Sequence, residues 1–213
     1  MATVSLWSDV AVAMQSALAT AVTITGITKA SPGVVSHSGT DPSDGDYVVI
    51  TATGMAEVDG RVFRVANQAA GSFELEGADT TDFGTFSSGS FQVATLGTSL
   101  STVTDLSSSG GDFNFIDTTT IHGNVATQIP GVASASTFTF TNIWDVSDTA
   151  LVAMKAASDA KTERAFKFTF ANGQIMVFNG YVGASLLPGG SAQDKVTTSV
   201  AITMYGSPTY YSS

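Results

Sequence analysis

Apolar and polar residues alternate in short runs along most of this chain, which is the two-residue period of β-strands. The clearest run, residues 166 to 178, reads FKFTFANGQIMVF and has an Asn-Gly pair between two alternating stretches. Asn-Gly in that position is the strongest short-range signal for a β-hairpin with a two-residue turn. Such a turn predicts that Phe170 lies opposite Ile175 and that Phe168 lies opposite Val177.

The same pairing assigns the hairpin side chains to two faces. Phe166 shares one face with the four paired residues, and the other face carries Lys167, Thr169, Met176 and Phe178. Because the second face mixes polar and apolar side chains, we expect it to be partly exposed to solvent and partly covered by another surface.

Further strand-like runs, separated by turn residues, fill two stretches of the chain. The runs TITGI, DYVVITA, GRVFRVAN and GSFELEG come first. The runs TLGTSLST, DFNFIDTT, ASTFTFTNIW, AFKFTFA, QIMVFNGYV and KVTTSVAITMYG follow. The sequence therefore predicts a mainly β protein with two modules, residues 22 to 95 and residues 96 to 213, behind an N-terminal segment of residues 1 to 21.

Two segments have apolar residues at helical spacing instead. Residues 8 to 21 predict a short amphipathic N-terminal helix capped by Ser8 or Asp9. Because so short a helix is not stable alone, we expect it to dock on its own domain or on a neighbouring chain. Its apolar residues are Val10, Met14, Ala17, Leu18 and Ala21.

The second helix is expected within the later module, from about Ser147 to Ala160. Ser147 is its predicted N-cap, since a serine hydroxyl accepts a hydrogen bond from the first turn. Small apolar residues form one face that can pack closely onto a sheet: Ala150, Leu151, Met154 and Ala157.

Composition and charge narrow the range of functions. Charged residues make up only 12% of the chain, so Ser, Thr and apolar groups cover much of the surface. A protein–protein contact buries such a surface with little loss of charge hydration. The formal net charge of −10 argues against a conventional nucleic-acid binder, which needs clustered Lys and Arg. It does not exclude a protein that nucleic acid passes without adhering.

The absence of cysteine excludes disulfides, thiolate metal sites and thiol nucleophiles, and it fits a reducing cytosol. The first basic residue is Lys29, and polar residues interrupt the apolar N-terminal stretch, so no secretory signal is expected. No apolar run is long enough for a transmembrane span.

Few residues are candidates for a metal site. His37 and His122 lack a second histidine or cysteine at metal-ligand spacing, and we expect them in loops or on the surface. Asp41, Asp44 and Asp46 in DPSDGD are similar to a calcium loop. Their spacing departs from the EF-hand pattern, so a turn capped by aspartate side chains is the preferred interpretation.

A basic cluster of Lys155, Lys161, Arg164 and Lys167 is a candidate binding patch, but charges that complement the helix dipole explain it better. No nucleotide-binding motif or nucleophile motif occurs in the chain. We therefore expect no enzymatic activity, no catalytic residue, no metal site and no cofactor.

From about residue 95 to residue 208, the order of elements resembles that of the major tail tube proteins of long-tailed bacteriophages. The elements are a Thr-rich strand, an Ile-Pro-Gly before a strand, an Asp-flanked helix, the hairpin, the FNGYV strand, a PGG loop and a final strand that ends at Gly206. The resemblance implies a tail-tube-type β-sandwich or barrel with one flanking α-helix. It also implies that six copies form a ring and that rings stack into a tube through which DNA passes during genome ejection.

The earlier module resembles a small β-barrel, the first catalytic-cysteine half-domain of ubiquitin-activating enzymes, and similar modules occur in phage virion proteins. Without a cysteine or a nucleotide motif, no activating chemistry carries over. The module is expected to decorate the outside of the tube or to space its rings. The residues that carry the resemblance are Gly45-Asp46, Gly54-Met55, the acidic turn Glu57–Gly60 and Phe63.

The tail tube resemblance also implies partners and a location. The partners are further copies of the chain, in stacked homohexameric rings, and other tail proteins, namely the terminator, distal tail and tape measure proteins. DNA would occupy the lumen transiently and without sequence specificity, and no membrane would be involved. The protein would belong to the virion tail and assemble in the cytoplasm of the host bacterium.

Nine residues are candidates for the assembly interface. They belong to the N-terminal helix, to the loops SSSGGD and LLPGGSAQD, and to the mixed face of the hairpin. They are Val10, Met14, Leu18, Ser108, Gly110, Leu187, Gly189, Met176 and Phe178.

A second function stays open, that of a virion adhesin or another host-surface binding module that uses the N-terminal barrel. Such a module needs an exposed aromatic platform. The two tryptophans, Trp7 and Trp144, both lie outside residues 22 to 95.

Overall fold

The computed structural model describes residues 9 to 212, which contain sixteen β-strands and one α-helix. The prediction of a mainly β fold with one flanking helix is confirmed. The strands are β1 (Ala11–Met14), β2 (Ala17–Leu18), β3 (Val22–Ile27), β4 (Val34–Ser38), β5 (Tyr47–Thr53), β6 (Val62–Ala69), β7 (Ser72–Leu75), β8 (Ser88–Thr95), β9 (Thr98–Ser99), β10 (Val103–Ser109), β11 (Phe113–Asp117), β12 (Gln128–Ala133), β13 (Thr137–Ile143), β14 (Glu163–Thr169), β15 (Ile175–Ala184) and β16 (Thr197–Tyr211), and the helix is α1 (Thr149–Ala160).

Six strands of the earlier module close into a barrel, as the sequence predicts. Their order is β8-β3-β4-β7-β6-β5, and β5 pairs with β8 to complete the circle. Alternate residues of these strands point inward, so Val48, Ile50 and Phe73 are almost completely buried. The likeness of this barrel to the half-domain of ubiquitin-activating enzymes stays a prediction.

The later module is built on a seven-stranded antiparallel sheet with the order β10-β13-β16-β15-β14-β1-β9. This sheet curls over itself. The rings of Phe138 in β13 and Phe168 in β14 have centroids 5.4 Å apart, although β16 and β15 stand between their strands. Residues from both ends of the strand order also approach each other, since Val12 of β1 and Leu106 of β10 line one cavity of ≈ 470 Å³. The result is a sandwich whose two halves face each other across a common core.

Phenylalanine side chains fill the sandwich core. Phe140, Phe166, Phe168 and Phe178 are each at most 1% exposed. Burial of one such side chain stabilises the fold by about 1.5–3 kcal/mol. The helix α1 covers this core with the face that the sequence predicts: Ala150, Leu151, Met154 and Ala157.

The helix begins one residue later than predicted, because Asp148 rather than Ser147 is its N-cap. The Asp148 carboxylate accepts the backbone N–H of Leu151 at 2.8 Å. The Ser147 hydroxyl instead donates to Asp145 at 2.7 Å. A carboxylate at this position also interacts favourably with the positive end of the helix dipole.

The predicted N-terminal helix is wrong. Its described part forms β1, in which Met14 pairs with Phe166 of β14, and β2, which pairs with β8 of the barrel. The apolar residues Val10, Val12 and Met14 also have a two-residue period, and pairing with a sheet edge outweighs a marginal helix. Of the described residues before Val22, β1 belongs to the sandwich sheet and β2 to the barrel sheet. Residue 8 lies outside the described residues.

The hairpin of residues 166 to 178 is present, but its predicted register is wrong by one residue. Phe168 lies opposite Met176, and Phe166 lies opposite Phe178. Because side chains alternate along a strand, a shift of one residue moves every side chain of one strand to the other face.

The hairpin loop explains this shift. The Gly173 N–H donates to the Phe170 carbonyl at 2.9 Å, and Gly173 has a φ of +83°. This is the three-residue loop in which a type I turn is followed by a left-handed residue, and it replaces the expected two-residue turn. Met176 and Phe178 therefore join the phenylalanine core, whereas Val177 faces the barrel.

The barrel packs on the outer face of β14 and β15 through an apolar contact. Val62 and Ala94 of the barrel meet Ala165, Val177 and Tyr211 of the sandwich. All five side chains are at most 6% exposed. The two modules thus share a small core of their own.

Tyr211, at the end of β16, adds polar contacts to this junction. Its phenol oxygen accepts the backbone N–H of Arg64 at 2.6 Å. Its ring lies under the Arg64 guanidinium, 4.6 Å from the ring centroid, and the guanidinium also pairs with Glu76. Burial is the main reason that the pKa of Tyr211 is raised to about 12.

The position of Met14 leads to a first prediction. Because Met14 is 1% exposed in the sandwich core, Met14→Ala should lower the free energy of unfolding by about 2–5 kcal/mol. Leu18→Ala is the matched control, since Leu18 is 38% exposed and its loss should cost less than about 1 kcal/mol. Urea unfolding of both variants measures the difference, and equal losses would contradict the placement of β1 in the core.

The junction leads to a second prediction, for alkaline pH. The folded state holds the Tyr211 phenol proton more tightly than the unfolded chain does, where its pKa is 10.0. This stabilisation is therefore complete below pH 10, decreases as the pH rises towards about 12, and is lost above it. Across this range the wild type should lose about 2–3 kcal/mol more unfolding free energy than Tyr211→Phe, which has no phenol proton. Urea unfolding at several pH values tests this, and parallel pH curves for the two proteins would refute it.

Candidate assembly surfaces

The nine predicted interface residues fall into two groups. Met14, Met176 and Phe178 are 1%, 8% and 1% exposed, so the prediction is wrong for these three, which a neighbouring subunit cannot reach. Their burial follows from strand β1 and from the register of the hairpin. The other six lie at or near the surface: Val10, Leu18, Ser108, Gly110, Leu187 and Gly189.

An exposed apolar hairpin projects from the sandwich between β10 and β13. We call residues 111 to 134 the arm, in which β11 and β12 pair with each other and with no other strand of residues 9 to 212. A two-stranded ribbon with no covering layer is only marginally stable in water, so a partner surface would stabilise the arm. Large apolar side chains on both strands are more than half exposed: Phe113 (57%), Phe115 (63%), Ile116 (55%), Ile129 (52%) and Val132 (83%).

Sequence reasoning found only half of the arm. The run DFNFIDTT predicted β11, but β12 was missed because Pro130 and Gly131 interrupt its pattern. The cross-strand pair Ile116–Ile129 is the signal that would have identified the second strand.

Two glycines join the arm to the sandwich, and they form part of the predicted SSSGGD loop. Gly110 and Gly111 have φ values of +88° and +86°, a region that side chains other than glycine rarely adopt. A Cβ atom on Gly110 would lie 2.1 Å from the carbonyl oxygen of Ala135. The direction of the arm is therefore set by a backbone bend that requires glycine.

A second apolar surface lies at the opposite end of β13, around Trp144. The Trp144 backbone N–H donates to the Val196 carbonyl at 3.0 Å, and its indole N–H donates to the Leu186 carbonyl at 2.9 Å. These bonds bring the end of β13 together with the loop before β16. Four exposed apolar side chains in these segments form what we call the Trp144 patch: Ile143 (45%), Val146 (65%), Leu187 (73%) and Val196 (48%).

The predicted LLPGGSAQD loop borders this patch. It borders a shallow, open cleft of ≈ 380 Å³ that is lined by Pro188, Gly190, Ala192 and Val196. The loop is held to the sheet by a pair of backbone hydrogen bonds between Gly189 and Thr197, each 2.8 Å long. These bonds fix the position of Gly189 beside the start of β16.

The outer face of the sandwich half formed by β10, β13 and β16 is polar. Strands β10, β13 and β16 run side by side, and every second residue of each points away from the core. None of the eight Lys and Arg residues of the chain lies on these three strands. We call this face the Ser/Thr ladder, with the rows Ser109–Thr137–Thr203, Ser107–Thr139–Ala201 and Asp105–Thr141–Ser199.

His37 is a core residue of the barrel, so its predicted surface location is wrong. Its side chain is fully buried, with its ring 5.1 Å from that of Phe91 and Nε2 3.3 Å from Asp41 Oδ1. The cause is strand β4, which was not predicted and whose alternation turns His37 inward. His122 lies exposed in the turn of the arm, as expected.

The aspartates of the DPSDGD turn accept backbone N–H groups. Asp41 accepts the N–H of Gly71 at 2.9 Å, and Asp44 accepts that of Gln68 at 2.8 Å. Asp46 accepts a backbone N–H within the turn, also at 2.9 Å. The Asp46 bond is the kind that the predicted aspartate-capped turn implies, whereas Asp41 and Asp44 tie the turn to the β6–β7 hairpin. Within residues 9 to 212, no three His, Cys, Asp or Glu side chains are grouped to hold a metal ion.

The predicted basic residues have separate structural roles. Lys155 pairs with Asp159 along α1, and Lys161 ends the helix in the left-handed conformation. The Lys167 ammonium lies 5.2 Å from the centre of the Tyr47 ring, at the junction with the barrel. In the described part of the chain, no helix is long and apolar enough to cross a membrane.

Comparison with known protein families assigns the chain to a family. The chain matches the family model described as phage tail tube protein, TTP, over residues 53 to 213. The match begins inside the barrel, well before residue 95, where the order of elements begins to resemble that of tail tube proteins. A search of curated proteins found no match. Since the family model covers well over half of the chain, this protein belongs to the phage tail tube protein family and is a structural component of the virion tail.

Proposed function

We propose that this protein forms homohexameric rings that stack into the phage tail tube, and that DNA passes through the lumen during genome ejection. Membership of the tail tube family supports assembly into a tube. The observation that carries the proposal for the lumen is the Ser/Thr ladder, the sheet face on which no basic residue lies.

A wall made from this ladder would let DNA pass freely. Each Lys or Arg in contact with a phosphate adds electrostatic affinity and slows release. The ladder offers hydroxyl groups, one methyl side chain and the carboxylate of Asp105. At physiological ionic strength, repulsion between carboxylates and phosphates acts over about 8 Å, which keeps DNA from adhering to the wall.

The barrel fits on the outside of such a tube. It contacts Ala165 and Val177 on the outer face of β14 and β15. Because the sandwich halves face each other across the core, this face and the ladder point in opposite directions. With the ladder towards the lumen, the barrel decorates the outer surface.

The proposed tube has further partners. A terminator protein and a distal tail protein would bind its ends, and a tape measure protein would occupy the lumen before DNA. Assembly would take place in the cytoplasm of the host bacterium. Specific contacts with these proteins would involve the same end surfaces that the subunits use with one another.

The alternative function, an adhesin that uses the barrel, has less support. An adhesin of that kind needs exposed aromatic side chains. The aromatic residues of residues 22 to 95 are all buried or half-buried: Tyr47, Phe63, Phe73, Phe83, Phe86 and Phe91.

The proposal predicts self-assembly of the purified chain. Negative-stain electron microscopy over a concentration series, with light scattering in parallel, should show six-fold rings and hollow tubes of uniform width. Monomers at every concentration, also after addition of a tail initiator complex, would overturn the proposed function.

A lysine on the ladder tests the lumen assignment. Tubes of Thr139→Lys, assembled with short duplex DNA, should retain DNA that is protected from nuclease and released by salt. Ala70→Lys, an exposed turn residue of the barrel, is the matched control and should give no protected DNA. Protection in both variants, or in neither, would contradict a lumen lined by the ladder.

A further inference from the structure

We infer that the chain binds a neutral saccharide in the cleft between the barrel and the end of β16, through Arg61, Asp79 and Tyr210. The cleft is open to solvent and has a volume of ≈ 290 Å³. This activity is additional to the tube and does not depend on it, because the cleft lies within one subunit.

Hydrogen bonds join the two walls of the cleft. The barrel wall contains Arg61 and Asp79, and the β16 wall contains Thr209 and Tyr210. The Thr209 hydroxyl donates to the Val62 carbonyl at 3.0 Å and accepts from Nη2 of Arg61 at 3.2 Å. The cleft is therefore formed before a ligand arrives, which lowers the entropic cost of binding.

Arg61 supplies hydrogen-bond donors to the cleft. Its guanidinium lies 4.9 Å from the centre of the Phe63 ring, and its Nη1 donates to the Glu57 carbonyl at 3.0 Å. No carboxylate of residues 9 to 212 forms an ion pair with it. Burial lowers the pKa of Arg61, as expected for a cation without such a partner. The bonds to Glu57 and Thr209 leave further N–H groups of the guanidinium for a ligand oxygen.

Asp79 supplies a hydrogen-bond acceptor to the same cleft. Its Oδ1 accepts the backbone N–H and the hydroxyl of Thr81, at 3.0 Å and 2.6 Å. Its second oxygen, Oδ2, has no hydrogen-bond partner in the described part of the chain. A ligand in the cleft therefore meets a donor on one side and an acceptor on the other.

This pair of opposite charges favours a neutral ligand that carries hydroxyl groups. Asp79 and the net charge of −10 would repel an anion, and Arg61 would repel a cation. A hydroxyl group both donates and accepts hydrogen bonds, so a polyhydroxylated ligand can bond to both residues.

The apolar part of the cleft favours a sugar ring. Tyr210 is 69% exposed, and the half-buried Phe83 and Pro208 line the same cleft. A pyranose ring has an apolar C–H face that stacks on an aromatic side chain, while its edge carries the hydroxyl groups. The exposed aromatic ring that the barrel lacks is thus provided by β16.

An NMR titration of the full-length chain tests the site, with the methyl glycosides of glucose, galactose, mannose and N-acetylglucosamine as probes. At least one of them should bind with a Kd on the order of 1–10 mM, as expected for a ligand of so few atoms. Saturation transfer from the protein should be strongest at the C–H protons of one ring face. Binding of none of the four would overturn the inference.

Asp79→Asn separates binding from folding, because the amide oxygen can keep the bonds to Thr81 while an NH₂ group replaces the available acceptor. The affinity for the bound glycoside should fall about tenfold or more, since a charged acceptor is lost. Tyr210→Ala should also weaken binding. The matched control is Asp82→Asn, an exposed carboxylate that does not line the cleft, and it should bind as the wild type does. Wild-type affinity in Asp79→Asn would contradict the site.

A charged counterpart of the sugar distinguishes this site from an anion site at Arg61. The uronic acid form of the bound glycoside has the same ring with a carboxylate at C6, and it should bind more weakly. Tighter binding of the uronic acid would overturn the inference. None of these measurements requires tubes, and Asp79→Asn should assemble as the wild type does. A failure of saccharide binding therefore leaves the proposed tube unaffected, and a failure of assembly leaves the saccharide site unaffected.

Discussion

The curling of the seven-stranded sheet is the constraint on which the rest of the molecule depends. It brings Phe138 and Phe168 into contact from strands that are not neighbours, and so creates a closed core. Because the sheet turns back on itself, its outer face points in two opposite directions. One direction carries the Ser/Thr ladder and the other carries the barrel. A flat sheet with the same sequence would place both on one side.

Much of the fold follows from patterns that are visible in the sequence. Several strands of the earlier module, the helix α1 with its small buried face, and the hairpin at residues 166 to 178 are indicated by local periodicity and turn residues, whereas the barrel is what the resemblance implies. These elements are long or strongly patterned, so local preferences and tertiary packing agree. The order of elements also indicated the tail tube family, which the family match shows.

The sequence-based predictions are wrong where a segment fits two kinds of secondary structure or where a loop can have more than one length. The stretch with Val10, Val12 and Met14 fits both helix and strand, and only the unpaired edge of β14 decides between them. The turn before Gln174 allows two loop lengths, and the longer one moved Met176 and Phe178 from the predicted interface to the core. The Trp144 patch depends on hydrogen bonds between distant segments, which no local pattern reveals.

Strand β16 has a consequence for how a tail withstands force. Its fifteen residues begin beside the Trp144 patch and end at Tyr211, in the contact with the barrel. Between these points it is hydrogen-bonded to β13 on one side and to β15 on the other. Tension along this strand would load many of those bonds in shear at the same time, rather than opening them one after another. A pull between the barrel and the opposite end of the sandwich would thus be transmitted through one continuous backbone, and the subunit would resist stretching as a single mechanical unit.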